Sequence, residues 1–288
     1  MLALCICWGF QQVAIKLVAG DIAPIMQLGL RSGFAALVLG VLTLRREGRN
    51  AFSDGTLGAG LVVGFLFGLE FFFIAEGLRY TTASHMVVFI YTAPIFTALG
   101  LHLRWPDERL SPLQWLGVLI AFAGIAITFI GRDSAQGRNM LVGDALGVMA
   151  GAAWGATTVG IRASALSEIS PVKTLFYQLA LAFLMLVPLG FVLNQSAIVP
   201  STGALLSLGF QAIIVALASY LTWFWLLRRY LASRLSILSF MTPLFGVGFG
   251  VFILHEPIDP SFGLGAGLVL AGLLCVSITD LRRRQAPR

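Results

Sequence analysis

Residues 57–78 read LGAGLVVGFLFGLEFFFIAEGL. About 20 consecutive apolar residues cross the hydrocarbon core of a bilayer, and this stretch is that long, with only Glu70 and Glu76 breaking its apolar character. Working outward, charges, prolines and Gly/Ser/Asn clusters delimit further runs of similar length. On the amino-terminal side they fall near 2–19 and 25–44. On the carboxy-terminal side they fall near 82–104, 112–131, 141–164, 170–193, 203–227, 232–254 and 261–280. The pattern predicts an all-α membrane protein of about ten transmembrane helices, with connections too short for an extramembrane domain.

Composition agrees. Of 288 residues, 58% are hydrophobic and 11% charged, whereas a soluble domain carries roughly 45–50% and about 25%. Such a chain cannot cover a soluble fold with charge, so lipid contacts most of its outside. The net charge of +6 sits in short clusters between apolar runs, such as Arg45, Arg46 and Arg49, or Arg282, Arg283 and Arg284. That placement argues for loops and against nucleic acid. Cys5, Cys7 and Cys275 lie inside apolar runs and suggest neither a disulfide framework nor a metal site. Met1–Phe10 has no basic lead, and is read as part of a first helix rather than a signal peptide.

With the amino terminus in the cytoplasm, the outer loops would hold only Lys16, Arg79, Arg132 and Arg138. The inner side would hold all the other basic residues except Arg31, which lies within a helix. Positive charge favours the cytoplasmic side, so both termini are expected there.

The two halves echo each other. Trp8-Gly9 matches Trp154-Gly155, Val13 matches Val159, and Lys16 matches Arg162. Pro24 matches Pro171, and Ala83-Ser84 matches Ala232-Ser233. Pro94 and Phe96 match Pro243 and Phe245, and Glu108 matches Glu256, all at offsets of 146 to 149. Five helices per half is an odd number, so residues 1–138 and 139–288 are expected to be inverted repeats. Such repeats place a binding site near the bilayer midplane, between halves that rock about it. A duplication kept only for folding is the bland alternative.

These features resemble the ten-helix EamA-type members of the drug/metabolite transporter superfamily. The resemblance rests on the early Trp-Gly of each half, Pro94 and Pro243, Glu108 and Glu256 before the fifth and tenth helices, and the glycine-rich stretch from Phe262 to Val276. It covers nearly the whole chain. It implies a basket of helices around a central cavity, with the fifth and tenth packed peripherally. It also implies a bacterial inner-membrane carrier, commonly an exporter of amino acids or related metabolites. Lys16 and Arg162 lie near helix ends and do not form the deep paired cations of the sugar-phosphate branch, so amino acids are favoured.

Glu70 is the sharpest candidate for a substrate contact. A carboxylate at helix centre costs roughly 2.5–3.5 kcal/mol on insertion. It therefore faces the interior as an amine contact or proton-coupling group, or it pairs with Arg31. Arg31 in turn suits a substrate carboxylate or a structural partner. Trp8, Trp154, Tyr91, Tyr220 and Trp223 combine an aromatic face with a polar atom that needs a partner, and so suit a cavity or an interfacial belt; Trp105 and Trp115 suit the belt. Gln12, Gln178 and Ser219 are uncharged polar groups at membrane depth, and Ser219 corresponds to Glu70 across the repeat. Pro94 and Pro243 read as gating kinks or static bends. His85 either gates access or belongs to a solvated rim with Glu76 and Arg79. Glycines at 143, 147, 151 and 155, and at 60, 64 and 68, read as packing stripes. Gly263 and Gly267 suit internal packing or a dimer.

His102 and Asp107 form a His-x4-Asp pattern, read as chance. No hydrolase or nucleotide-binding motif is present. No catalytic residue, metal or cofactor is expected. The expected partners are a small-molecule substrate and the lipid bilayer, with the chain a monomer and a homodimer left open. The rivals are a sugar-phosphate or nucleotide-sugar antiporter and an intramembrane acyltransferase-like enzyme.

Overall fold

The computed structural model describes residues 1–48, 51–128, 135–230, 235 and 238–285. Its helices are α1 Leu2–Leu17, α2 Pro24–Glu47, α3 Leu57–Tyr80, α4 Ala83–Ile90, α5 Ala93–Arg104, α6 Pro112–Thr128, α7 Ala135–Arg162 and α8 Pro171–Val192. α9 Thr202–Gly209 runs through a π-helical Phe210–Ser219 into α10 Tyr220–Arg229. α11 Met241–Leu254 and α12 Pro260–Gln285 follow. Among the described residues, 7 segments are long and apolar enough to cross a membrane, Ala83–Arg104 and Thr202–Trp223 each counting as one. Leu2–Leu17, Pro112–Thr128 and Met241–Leu254 are shorter apolar helices. These agree with the expected ten. The ends of the 112–131 and 232–254 segments lie outside the described residues, as do Arg49, Arg132, Arg234, Arg288 and the Ala232-Ser233 match. The side chains of Arg138, Arg228, Arg282, Arg283 and Arg284 do too.

The protein is an all-α membrane protein. Leu37, Val62, Leu119, Leu184, Leu206 and Phe252 are all exposed on its outside. Such a surface is stable against acyl chains and not against water.

Prolines place the helix breaks. A proline ring clashes with the carbonyl four residues back and has no N–H to give. Pro94 lies four residues after Ile90, where α4 ends, and sits in the first turn of α5. Pro243 lies in the first turn of α11, whose N-cap is Phe240.

Glycines set the seams. Gly143, Gly147, Gly151 and Gly155 press α7 onto Thr81, Phe89, Thr92 and Phe96, and Gly60, Gly64 and Gly68 press α3 onto Tyr177, Leu181 and Met185 of α8. Peripheral α6 and α12 meet through Gly117 and Gly124 against the carbonyls of Gly272 and Gly265. Here the expectation needs correcting: Gly265 and Gly272 make that seam, while a methyl on Gly267 would meet nothing within 4 Å. The reason is helical phase, since the seam falls on the face opposite Gly267.

One pair of contacts is mirrored. A methyl on Gly9 of α1 would lie 2.8 Å from Gly246 N and 2.9 Å from Phe245 Cβ of α11. A methyl on Gly155 of α7 would lie 2.7 Å from Phe96 Cβ and 2.9 Å from Thr97 N of α5. Phe96 and Phe245, like Thr97 and Gly246, are 149 positions apart. Each Trp-Gly helix thus rests on the post-proline helix of the opposite half.

The bundle has two differently tied ends. At one, Glu256 accepts from Ala83 N at 2.7 Å, Ser84 N at 2.9 Å and Ser84 Oγ at 2.6 Å, capping α4. Lys16 donates to the carbonyls of Leu78 and Thr81, and Thr81 donates to Asp144. At the other end Glu108 pairs with Arg162. There Lys173 donates to Asp54 Oδ2 at 2.6 Å and to the Ala51 carbonyl. Lys173 is 1% exposed, so it is not the free loop charge its position suggests. Its stem burial leaves the ammonium tied to the 51–54 loop.

Candidate functional site

The glycine seams bring a polar cluster together inside the apolar bundle. α2 contributes Arg31, two turns past Pro24 and only 1% exposed. Its guanidinium lies 4.8 Å from the centre of the Phe71 ring of α3, within electrostatic reach of Glu70, Tyr220 and Cys7. Among the described residues, Nε, Nη1 and Nη2 of Arg31 all lack a hydrogen-bond partner, as does Glu70 Oε2. The Arg31–Glu70 ion pair, the alternative to a substrate contact, is not formed. A guanidinium carries five N–H donors and no acceptor, and an uncompensated buried charge is strongly destabilising. Two buried groups of opposite charge type on different helices, within electrostatic reach of each other and without hydrogen-bond partners among the described residues, are suited to a ligand that carries the reverse pair.

Aromatic groups border it. Trp8 of α1 donates its indole N–H to Ser219 Oγ at 2.8 Å, and Ser219 donates onward to the Val215 carbonyl at 2.6 Å. Trp223 meets Trp8 edge to face at 5.6 Å, and Leu4, Leu226 and Leu235 pack with both. The π-helical segment ends at Ser219, and such widened turns shift the phase of a helix at functional sites. Tyr91 occupies the gap between α4 and α5, with Trp154 of α7 edge-on at 5.6 Å and 90°. Tyr91 in turn lies within electrostatic reach of Tyr220 and Cys5. Buried Gln12 Oε1, one turn past Trp8, is a further atom without a partner among the described residues, and buried Thr242 lies within hydrogen-bonding reach of Tyr91 and Cys5.

Of the residues read from sequence, the structure gathers Glu70, Tyr91, Trp154 and Tyr220 into one interior cluster, with Trp8, Gln12, Ser219 and Trp223 on its α1–α10 side. Gln178 is buried on α8, where its neighbour Tyr177 points to Thr56 at 3.1 Å; no hydrogen bond ties Gln178 to the cluster among the described residues. Cys7, Phe71 and Thr242 are additions. They carry no pattern in the sequence, because their place depends on which face of each helix turns inward.

His85 is not on a solvated rim. It is fully buried, with Nδ1 3.0 Å from both Asp144 oxygens and its ring stacked 3.7 Å from Phe262. Asp144, nearly 60 residues away, supplies the partner that the local sequence lacks. Glu76 and Arg79 do form an exposed pair at 2.7 Å. His102 accepts from Leu110 N at 2.9 Å, which makes it a turn cap and leaves Asp107 outside any acid–base pair with that nitrogen. Two cavities lie away from the cluster. One of about 490 Å³ lies beside Lys16, Ala23, Leu78 and Gln195, and one of about 390 Å³ forms a lipid-side groove along Gly33, Gly40, Phe176 and Phe183. The cluster itself is enclosed in this conformation.

A profile of the EamA-like transporter family matches residues 1–130 and 141–278. The chain is 24% identical over 290 residues to the uncharacterized transporter YoaV of Bacillus subtilis, covering 99% of this chain and 97% of that protein. It is also 24% identical over 295 residues to a protein of Escherichia coli named "Probable amino-acid metabolite efflux pump", covering 99% and 95%. A chain of known crystal structure shares the fold at a TM-score of 0.65 and 19% identity, covering 98% and 97%. Two matches of one transporter family, over an all-helical membrane fold with a buried polar cluster, settle the affiliation: the chain belongs to the EamA-like transporter family.

Proposed function

We propose that this transporter carries amino acids or similar small metabolites by alternating access, in the outward direction, across the inner membrane of a bacterium. The observation that carries the reading is the convergence of Glu70, Arg31, Tyr91 and Tyr220 from α2, α3, α10 and the α4–α5 gap, with buried atoms left unpartnered. Polar groups at that depth mark substrate paths. Trp8 and Trp154 supply aromatic walls from opposite halves, suited to a side chain or an ammonium. Export and the amino-acid class draw support from the name of the Escherichia coli relative.

Alternation rests on residues 1–138 and 139–288 acting as inverted repeats. The mirrored Gly9 and Gly155 contacts support this, and so do the opposite directions of α1 and α7 between the two tied ends. Pro94 and Pro243 would serve as the flexible points. His85 with Asp144 would belong to the seal at the Glu256 end. We place both termini in the cytoplasm on the loop charges and treat the working unit as a monomer.

The sugar-phosphate rival meets an electrostatic objection. Arg31 is the cation the cluster offers a phosphate, and an ionised Glu70 in the same cluster would offset its pull, leaving a doubly charged anion without net attraction. An amino acid, neutral overall, can meet both charges. The test is a counterflow panel in proteoliposomes covering amino acids, nucleobases and sugar phosphates. Exchange of amino acids without chemical change is expected. Exchange of sugar phosphates alone would refute the substrate class, and a covalent product formed in detergent would favour an enzyme.

A further inference from the structure

We infer that Arg31 is the carboxylate anchor of a two-point site, with Glu70 as its ammonium partner, so that the substrate must be a zwitterion with both groups free. The inference rests on the carrier reading above and goes further by naming the contact atoms. Arg31 is 1% exposed and Glu70 is 6% exposed, each on a different helix. All three guanidinium nitrogens and Glu70 Oε2 are buried without a partner among the described residues.

The chemistry of the two ends is complementary. A planar guanidinium offers parallel N–H donors that match a carboxylate bidentately. A carboxylate accepts from the three N–H donors of an ammonium. Placed together, the two charges cancel at long range, so the compartment disfavours a net anion and a net cation alike and accepts a molecule with the reverse pattern. Phe71 lies under the guanidinium carbon, 4.8 Å from its ring centre, and offers its N–H donors no oxygen acceptor. Tyr220, within reach of both charges, and Tyr91 with Trp154 beyond it form an aromatic boundary for the substrate's side chain. A ligand held this way would satisfy most of the polar atoms that the protein's own groups leave unpaired.

The experiment is phenylalanine counterflow in proteoliposomes, with competition by phenylalaninamide, phenethylamine, N-acetylphenylalanine and phenyllactate. In the wild type the four analogues are expected to compete at least tenfold more weakly than phenylalanine, because each lacks one of the two charged groups. Arg31→Gln is expected to abolish the preference for the free acid over the amide, and Arg31→Lys to restore part of it. Glu70→Gln is expected to abolish the preference for phenylalanine over phenyllactate. The analogue series needs no variant, so misfolding of Arg31→Gln leaves the inference open to refutation. If phenylalanine exchanges while the amide competes equally, the anchor falls and the carrier reading stands. If no amino acid exchanges and sugar phosphates do, both fall.

Discussion

Replacing Glu256 by Gln tests whether one end of the bundle is held shut by a helix cap. The Glu256 carboxylate accepts three hydrogen bonds from the start of α4, at 2.6 to 2.9 Å. Hydrogen bonds to a charged group contribute about 1.5–3 kcal/mol each. Partial exposure puts these at the low end. An amide retains one acceptor oxygen and turns an N–H2 group toward a second donor, so about two of the three bonds are lost or weakened. The charge also leaves the amino end of α4, which costs about 0.3–1 kcal/mol more. The closed arrangement should therefore lose about 3–4 kcal/mol, a factor of about 150 to 900 in the closed-to-open ratio. Spin labels at Tyr80 and Ile258, both exposed near that end, would report the populations by pulsed dipolar spectroscopy. A longer distance should gain weight in Glu256→Gln and not in Glu76→Gln, which disturbs the pair with Arg79 and the hydrogen bond from Gln195 but touches no group at the start of α4. Identical distance distributions in folded Glu256→Gln protein would refute the latch.

Gly155→Ala places a methyl 2.7 Å from Phe96 Cβ and 2.9 Å from Thr97 N, a clash with backbone and Cβ that no rotamer relieves. It should cost about 1–3 kcal/mol in thermal unfolding followed by tryptophan fluorescence, and Gly9→Ala should match it. Gly267→Ala, with nothing within 4 Å, should be neutral or gain about 0.5–1 kcal/mol from helix propensity. Asp54, in the loop after α2, is held down to about 2 by its hydrogen bonds from Lys173 and Thr56. Its folded value lies below its unfolded one, so its contribution is present above about pH 4 and is lost as pH falls toward 2; Asp54→Asn should flatten thermal stability over that window. Proton coupling through Glu70 predicts that an imposed pH gradient drives flux in the wild type and not in Glu70→Gln; equal response in both would exclude it.

Much of this was legible in the sequence because membrane helices announce themselves by length and apolarity. The segment at 57–78 became α3 with only two residues added at its end. Pro94 and Pro243 marked real interruptions because their chemistry is local. Glycine stripes on α3 and α7 found their seams for the same reason. What stayed hidden depended on tertiary phase. The His85–Asp144 pair joins helices whose proximity no spacing reveals, and Lys173 looks like any loop cation until its ammonium is seen under the 51–54 loop. The π-helical turns before Ser219 change the phase of that helix without a sequence mark. Arg31 and Glu70 were visible as misplaced charges. That they leave each other unpaired was not, since two opposite charges at similar depth suggest a salt bridge.

The central claim is that the enclosed cluster opens to each face of the membrane in turn. A single cysteine at Gln12, with Cys5, Cys7 and Cys275 replaced by serine, can be challenged with an impermeant maleimide from either side of oriented vesicles. Reaction from both sides, slowed on both by phenylalanine, is the predicted result. Reaction from one side only, with or without phenylalanine, in vesicles that sustain flux would contradict it.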